Sequence, residues 1–549
     1  MGSAASTPVA PSHASEKQAT ASPRRTASSP TSAADLLAQL SLRTSSGGAS
    51  RPAAGVTSDN IAAWGDAFAS SPKHRLASTV LSKANLTETL VRRDAQIEAK
   101  QVYNVALSTE GSPVTNQKSS GRCWLFASTN YLRIILARKL DLDEFQFSQS
   151  YLFFYDSLSK ANYFLESMLD LAETPVDDRT IQYLMTEPEN DGGQWDMIVN
   201  LFETFGLVPQ PVYPESFNSS NTSKLDTLLT TKLREYALEL RSIHSAAMAT
   251  LAELADTKSH AERAALATQS ARKRKDEQMQ EVYRILAIAL GQPPKPTDSI
   301  TWEYYSKKDK KYHRVDCTPQ EFYRDHVAVR LADAFSLVND PRHEYETALN
   351  VSRLGNVVGG RPVRYVNVDV DVLKQTAVKL LKADVPVWFG CDVGKCSSST
   401  LGIMDTRLYD LDEGFGVSLG LTKAQRLKTG DSCMTHAMLL TGVHLDEAGK
   451  PVRWRVENSW GVEACDKGYM MMSDEWFSEF VYQVVADRKF ISKKLVDVFD
   501  KADATTALGP DGHPRLSAQQ QAALAQQDAA PRPASSSSPC SAPRCRPFS

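Results

Sequence analysis

Gln117-Lys118-Ser119-Ser120-Gly121-Arg122-Cys123-Trp124-Leu125-Phe126-Ala127 sets a cysteine six residues after a glutamine. Beyond it, Leu125, Leu132, Ile135, Leu136 and Leu140 recur with helical spacing. The pattern predicts a helix that begins at Cys123 and buries its apolar face. A thiol is a good nucleophile only as thiolate, and a helix N-terminus favours that form. Cys123 is therefore a candidate nucleophile. It needs a base, a group to orient the base, and a donor for a developing oxyanion.

Ten histidines can supply the base. His13 and His513 lie in low-complexity tails, and most others lie in polar or helical surroundings. His436 opens a predicted strand over Met438 to His444, where a side chain can project into a cleft. Asn458 follows by 22 residues (458 − 436), at the end of the alternating strand Val452 to Glu457. Its side-chain oxygen can accept the imidazole N–H, and the Trp460 indole can cover that bond. Each element alone has a bland reading: a structural histidine, an Asn-Ser turn. In the order Gln117, Cys123, His436, Asn458 they form a set.

The 549 residues carry a net charge of −3, with 42% hydrophobic and 23% charged residues. That balance points to neither nucleic acid nor membrane, and no apolar run reaches spanning length. Eight cysteines show no dense spacing, the mark of an intracellular, cytoplasmic protein with reduced thiols. Residues 1–55 are rich in Ser, Ala, Pro and Thr and read as a disordered extension. Their basic, acid-poor character is equally compatible with a mitochondrial transit peptide. Residues 503–549 read as a low-complexity tail.

Between the tails, Tyr151 to Leu171 reads as an aromatic-rich helix buried in the core. Asp191-Gly192-Gly193-Gln194 is a loop before the next helix. Paired glycines suit a cleft wall, and also an ordinary helix-start turn. Residues 222–290 read as strongly helical, with the basic run Arg272-Lys273-Arg274-Lys275 inside them. Such a run is usually a solvated helix face; the alternative is a nucleic-acid contact.

Gln117 to Trp124, Thr435-His436-Ala437 and Glu457-Asn458-Ser459-Trp460-Gly461 resemble the papain-like cysteine peptidases. Pro113 to Ala127, Tyr151-Leu152-Phe153-Phe154-Tyr155-Asp156, Asp191 to Gln194, Leu229 to Arg234, Asn339 to His343 and Met434 to Met438 narrow the resemblance. They are similar to the bleomycin hydrolase, or aminopeptidase C, branch. The resemblance runs over roughly residues 60–495. His436 follows Cys123 by 313 residues (436 − 123), about twice the usual papain spacing. That length fits a helical insertion at about 215–345.

The resemblance implies an α+β, papain-like two-lobed fold and a cysteine aminopeptidase. In that reading Cys123 attacks the amide carbonyl, and His436 pairs with it and protonates the leaving amine. Asn458 orients His436, Trp460 shields the pair, Gln117 stabilises the oxyanion, and Gly192 and Gly193 line the cleft. No metal or other cofactor is needed. The branch implies a homohexamer acting on peptides and small amides, with nucleic acid as a further partner in some members and no membrane. Arg272 to Lys275 would be the channel-facing cations.

The chain departs from the branch at its end. Ala507-Leu508-Gly509-Pro510-Asp511-Gly512-His513 stands where an arm resembling Trp-Asp-Pro-Met-Gly-Ala-Leu-Ala closes the family's chains, and 36 further residues follow. That arm limits cleavage to N-terminal residues. Two alternatives to the aminopeptidase therefore stay open: an endopeptidase-like specificity, or a nucleic-acid-binding hexamer with an incidental peptidase site.

Overall fold

The aromatic segment read as a buried helix anchors the core of the computed structural model, which describes residues 55–255, 257–501 and the backbone of 507–508. The chain divides into two compact units, one ending at Thr79 and one starting at Val80. In the first, helix Ser58–Ser70 is capped by Thr57 and buries none of its residues; Trp64 and Phe68 are exposed. The readings for 1–54 and for 509–549 lie outside the described residues.

In the second unit, five helices build one side of the site. α1 (Cys123–Leu140) and α2 (Gln149–Asp170) are followed by α3 (Trp195–Phe205). α4 (Ser223–Leu251) and α5 (His260–Leu290) form a hairpin packed on α2. Ser148 caps α2 through the Tyr151 N–H at 3.0 Å, and Tyr151, Leu152, Phe153 and Phe154 are fully buried. Ser259 and Glu262 form a capping box at the head of α5. The hairpin seam sets Leu229, Leu233 and Leu240 on α4 and Ala271, Val282 and Leu286 on α5, all buried at helical spacing.

A twelve-stranded sheet builds the other side. Its strands are β1 (Val105–Ala106), β4 (Ala334–Val338), β5 (Thr347–Val351), β6 (Arg364–Asn367) and β7 (Val387–Cys391). They continue with β8 (Ser397–Ser398), β9 (Ile403–Met404), β10 (His436–Leu445), β11 (Pro451–Glu457), β12 (Tyr469–Ser473), β13 (Val481–Asp487) and β14 (Ala507–Leu508). The spatial order is β14-β5-β6-β4-β13-β7-β10-β11-β12-β9-β8, with β1 added to β10. A separate hairpin joins β2 (Ile300–Tyr305) to β3 (Tyr312–Cys317).

β7 is buried throughout, and β10 nearly so, because α1 packs against both. Sheets covered on both faces lose the polar alternation that marks a half-exposed strand. β11 keeps that alternation from Arg453 to Val456, as its sequence predicts, whereas Val452 at its start is exposed. Within the span read as a helical insertion, 215–345, the α4–α5 hairpin is accompanied by the β2–β3 hairpin and by β4. β4 belongs to the main sheet, between β13 and β6. At the far edge, the backbone of Ala507 and Leu508 pairs in parallel with Asn350 and Val351.

Candidate active site

Arg122, immediately before Cys123, holds the head of α1 in place. Its guanidinium is fully buried and pairs with both Glu215 oxygens at 3.0 and 2.9 Å. It also lies near the rings of Phe126 and Phe153 and donates to Ser120 Oγ at 3.0 Å. Gly121 donates its N–H to the Asp191 carboxylate, and a Cβ there would sit 2.1 Å from Asp191 Oδ1. No side chain fits in that space, which accounts for the glycine. Asp191 also accepts from Thr222 Oγ1 at 2.5 Å.

No side chain caps α1. Its first N–H groups, those of Cys123 and Trp124, bear on the Cys123 sulfur together with the N–H of Ala437. The sulfur thus lies against the residue that follows His436. The sequence predicts a thiol of lowered pKa; the structure moves it the other way, up to about 12. Burial in the closed cleft outweighs the three N–H groups, and the Asp191 carboxylate adds to the rise.

His436 opens β10, opposite Cys391 on β7. Its Nε2 lies 2.9 Å from Asn458 Oδ1, which places the ring proton on Nε2 and leaves Nδ1 as the basic nitrogen. Burial lowers the imidazole to about 4, against the opposing effect of the Asn458 bond. The Trp460 ring lies 5.1 Å from the His436 ring, tilted by 36°. Burial thus disfavours an isolated thiolate and an isolated imidazolium alike, so charge is favoured there only as a pair.

Gln117 sits between these groups. Its N–H donates to Ser459 O at 2.8 Å, and Gly461 N–H donates to Thr115 O at 2.9 Å. The Gln117 carboxamide oxygen accepts from Ser459 Oγ at 2.7 Å, and its Nε2 donates to Ser120 O at 2.5 Å. The amide group has a second N–H to offer. Ser459 thereby aims the Gln117 donor, a role hidden in the Asn-Ser-Trp run until the fold joins residues 342 apart.

The segment Asn190 to Gly193, expected from the sequence to line the cleft, packs beside the head of α1. Gly193 packs on the Trp124 indole, whose atoms would lie 2.7 Å from any Cβ there. Gly192 uses both backbone groups internally, donating to Asn190 Oδ1 at 3.1 Å and accepting from Lys160 Nζ at 2.5 Å. The basic run lies on α5 and belongs to a different set of contacts. Arg272 and Lys275 pair with Glu166, each at 2.7 Å, and Arg274 pairs with Glu239 at 2.8 Å and Glu277 at 2.7 Å.

Known proteins share this layout. Residues 55–510 match the family described as Peptidase C1-like. Bleomycin hydrolase from Homo sapiens is 42% identical over 458 residues, which cover 81% of this chain and 96% of the human protein. Cysteine proteinase 1, mitochondrial, from Saccharomyces cerevisiae is 39% identical over 460 residues, covering 82% of this chain and 90% of the yeast one. The crystal structure of PepW from Lactobacillus rhamnosis superposes with a TM-score of 0.75 at 40% identity, over 84% of this chain and 99% of that one. With a thiol at a helix head, an imidazole on the facing strand and relatives matched over nearly their whole length, this chain belongs to the Peptidase C1-like family and is a papain-like cysteine peptidase of the bleomycin hydrolase branch.

Proposed function

We propose that the chain is a cysteine aminopeptidase that hydrolyses N-terminal peptide and amide bonds through a thiol acyl-enzyme. The observation that carries the assignment of roles is the 2.9 Å contact from His436 Nε2 to Asn458 Oδ1, beside a sulfur that faces the Ala437 N–H. Cys123 passes its proton to His436 Nδ1 and attacks the carbonyl carbon. The resulting oxyanion is met by the Cys123 N–H and the Gln117 carboxamide. His436 then protonates the departing amine, and water, deprotonated by the same ring, releases the acid product. Asn458 keeps the ring in register throughout, and Trp460 limits water at the contact.

Gly193 is the wall residue best placed to bond a substrate backbone. Gly192 is spent within the wall, whereas no hydrogen bond among the described residues engages the Gly193 backbone. Aminopeptidase specificity is tested with purified protein, free aminoacyl fluorogenic amides and their N-acetylated forms. Cleavage of the free amides alone supports it. Equal cleavage of the acetylated ones establishes an endopeptidase.

The bleomycin hydrolase resemblance also supports a homohexamer, for which sedimentation should find six copies of the 60.5 kDa chain. Nucleic-acid binding has less support, because Arg272, Arg274 and Lys275 spend their charge on Glu166, Glu239 and Glu277. Binding that weakens steeply with salt, and is lost when the run is neutralised, would establish it. The yeast relative carries "mitochondrial" in its name. Imaging a fusion to residues 1–54 against one to the remainder tests whether that holds here.

A further inference from the structure

Lys160 is a buried cation outside the set of groups that perform the chemistry. It projects from α2, and its ammonium donates to two carbonyls, Asn190 O at 2.8 Å and Gly192 O at 2.5 Å, and forms an ion pair with Asp156 Oδ2 at 2.6 Å. Asp156 is itself held, since Asn356 Nδ2 donates to its other oxygen at 2.9 Å. Nζ also lies 5.1 Å from the Trp124 ring, over its face. Trp124 Nε1 in turn donates to Asp191 O at 2.7 Å.

These contacts take the carbonyls of three consecutive residues, 190, 191 and 192, into the body of the protein. Gly193 is the next residue, and the first whose backbone is unengaged. A wall built from glycines has little stiffness of its own. Here its conformation is imposed from behind by one ammonium and one indole, together with the Asp191 carboxylate held by Gly121 and Thr222. The same indole belongs to the residue after Cys123, so the wall packs against the head of α1, which has its own anchor in Arg122 and Glu215.

We infer that Lys160 is a positioning residue for substrate binding, which fixes the Asn190–Gly193 wall so that Gly193 is presented to the substrate backbone. The inference rests on the peptidase reading above. It separates binding from chemistry: the wall depends on Lys160, whereas the sulfur and His436 do not touch it.

The test compares Lys160→Met, Lys160→Arg and the double variant Asp156→Asn/Lys160→Met, each checked by thermal melting. The double variant removes both buried charges together, so neither is left unpaired. Lys160→Arg keeps the pair with Asp156 but cannot reproduce the geometry of a compact ammonium. In Lys160→Met and the double variant, kcat/KM for an aminoacyl amide should fall by about ten- to a hundredfold, mainly through KM. Lys160→Arg should show a smaller rise in KM. Alkylation of Cys123 by iodoacetamide should stay within about threefold of the parent in all three. An unchanged KM in the folded double variant or in Lys160→Arg overturns the inference. A parallel loss of alkylation also overturns it, because the effect would then lie at the thiol. Turnover surviving in Cys123→Ala would refute the peptidase reading itself, whatever the Lys160 variants do.

Discussion

Asn458 Oδ1 accepts two hydrogen bonds, from His436 Nε2 at 2.9 Å and from the Ser459 N–H at 2.8 Å. The second bond fixes the acceptor, and the fixed acceptor fixes the ring. Replacing Asn458 by Ala should lower kcat by roughly 10²-fold, because a ring free to rotate is misplaced for most of the time. Gln117→Ala should cost about 10²–10³ in kcat with little change in KM, as expected for an oxyanion donor. The acid limb of kcat/KM should lie near the lowered His436 value of about 4. It should move further down in Asn458→Ala, since the lost bond was raising that value. The same burial links folding to pH. His436 titrates lower in the folded than in the unfolded chain, so unfolding takes up a proton between the two values. Its neutral form therefore costs no stability above about 6.5, and stability falls as pH drops from there toward 4. Urea midpoints across that range, in the parent and in His436→Gln, check the sign. Cys123, His436, Asn458 and Gln117 could be singled out in the sequence because chemistry restricts which residue types can serve. The contacts of Ser459, Asp191 and Lys160 could not, since only the fold creates them. The Cys123 shift runs opposite to the helix-head expectation for a related reason: a helix head can be read from sequence, but the burial of its first residue cannot.

A second tie links α1, which begins at Cys123, to β11, which ends one residue before Asn458. Arg133 on α1 donates to Glu457 Oε1 on β11 at 2.7 Å, with both side chains almost wholly buried. Arg133 also donates to Pro113 O, at the start of the segment that leads to Gln117. Ten residues along its helix from Cys123, it binds the residue before Asn458. Arg133→Met leaves a buried carboxylate without its cation and should destabilise the fold by about 3–5 kcal/mol. Arg133→Met/Glu457→Gln should recover most of that loss, as read by chemical denaturation. If the double variant is no more stable than the single, the pair is not the source of the effect. The helices of this region were legible from their spacing, as were β10 and β11. β4 and β13 were not identified as strands: Ala334–Val338 is buried throughout and Val481–Asp487 nearly so, and a continuous apolar run does not announce its period.

At the scale of the molecule, strands adjacent in space are distant in sequence: β4 lies between β13 and β6, and β7 between β13 and β10. The sequence could place strands but not order them, because pairing partners leave no local trace. The α4–α5 hairpin is the most self-contained part. Its seam combines buried apolar residues with cross-helix polar contacts such as Gln278 to Glu239 and Tyr236 to Glu281, and the described residues of the turn between the two helices are largely exposed. Trypsin should therefore nick at Lys258, within that turn, and leave turnover intact, since the seam and the packing on α2 hold both pieces. Mass spectrometry of the fragments, with activity measured on the nicked protein, tests this. Loss of activity on nicking would show that the hairpin must stay covalently closed to support the site.

The separation of 313 residues between Cys123 and His436 has a consequence in time as well as in space. Synthesised at about 5–20 residues per second, the thiol leaves the ribosome roughly 15–60 s before the imidazole that takes its proton. Asn458 emerges later still, and so does Glu457, which anchors Arg133. A half-made chain thus carries a nucleophile with no base to activate it. The thiol therefore meets its base only after the chain has been made through residue 436.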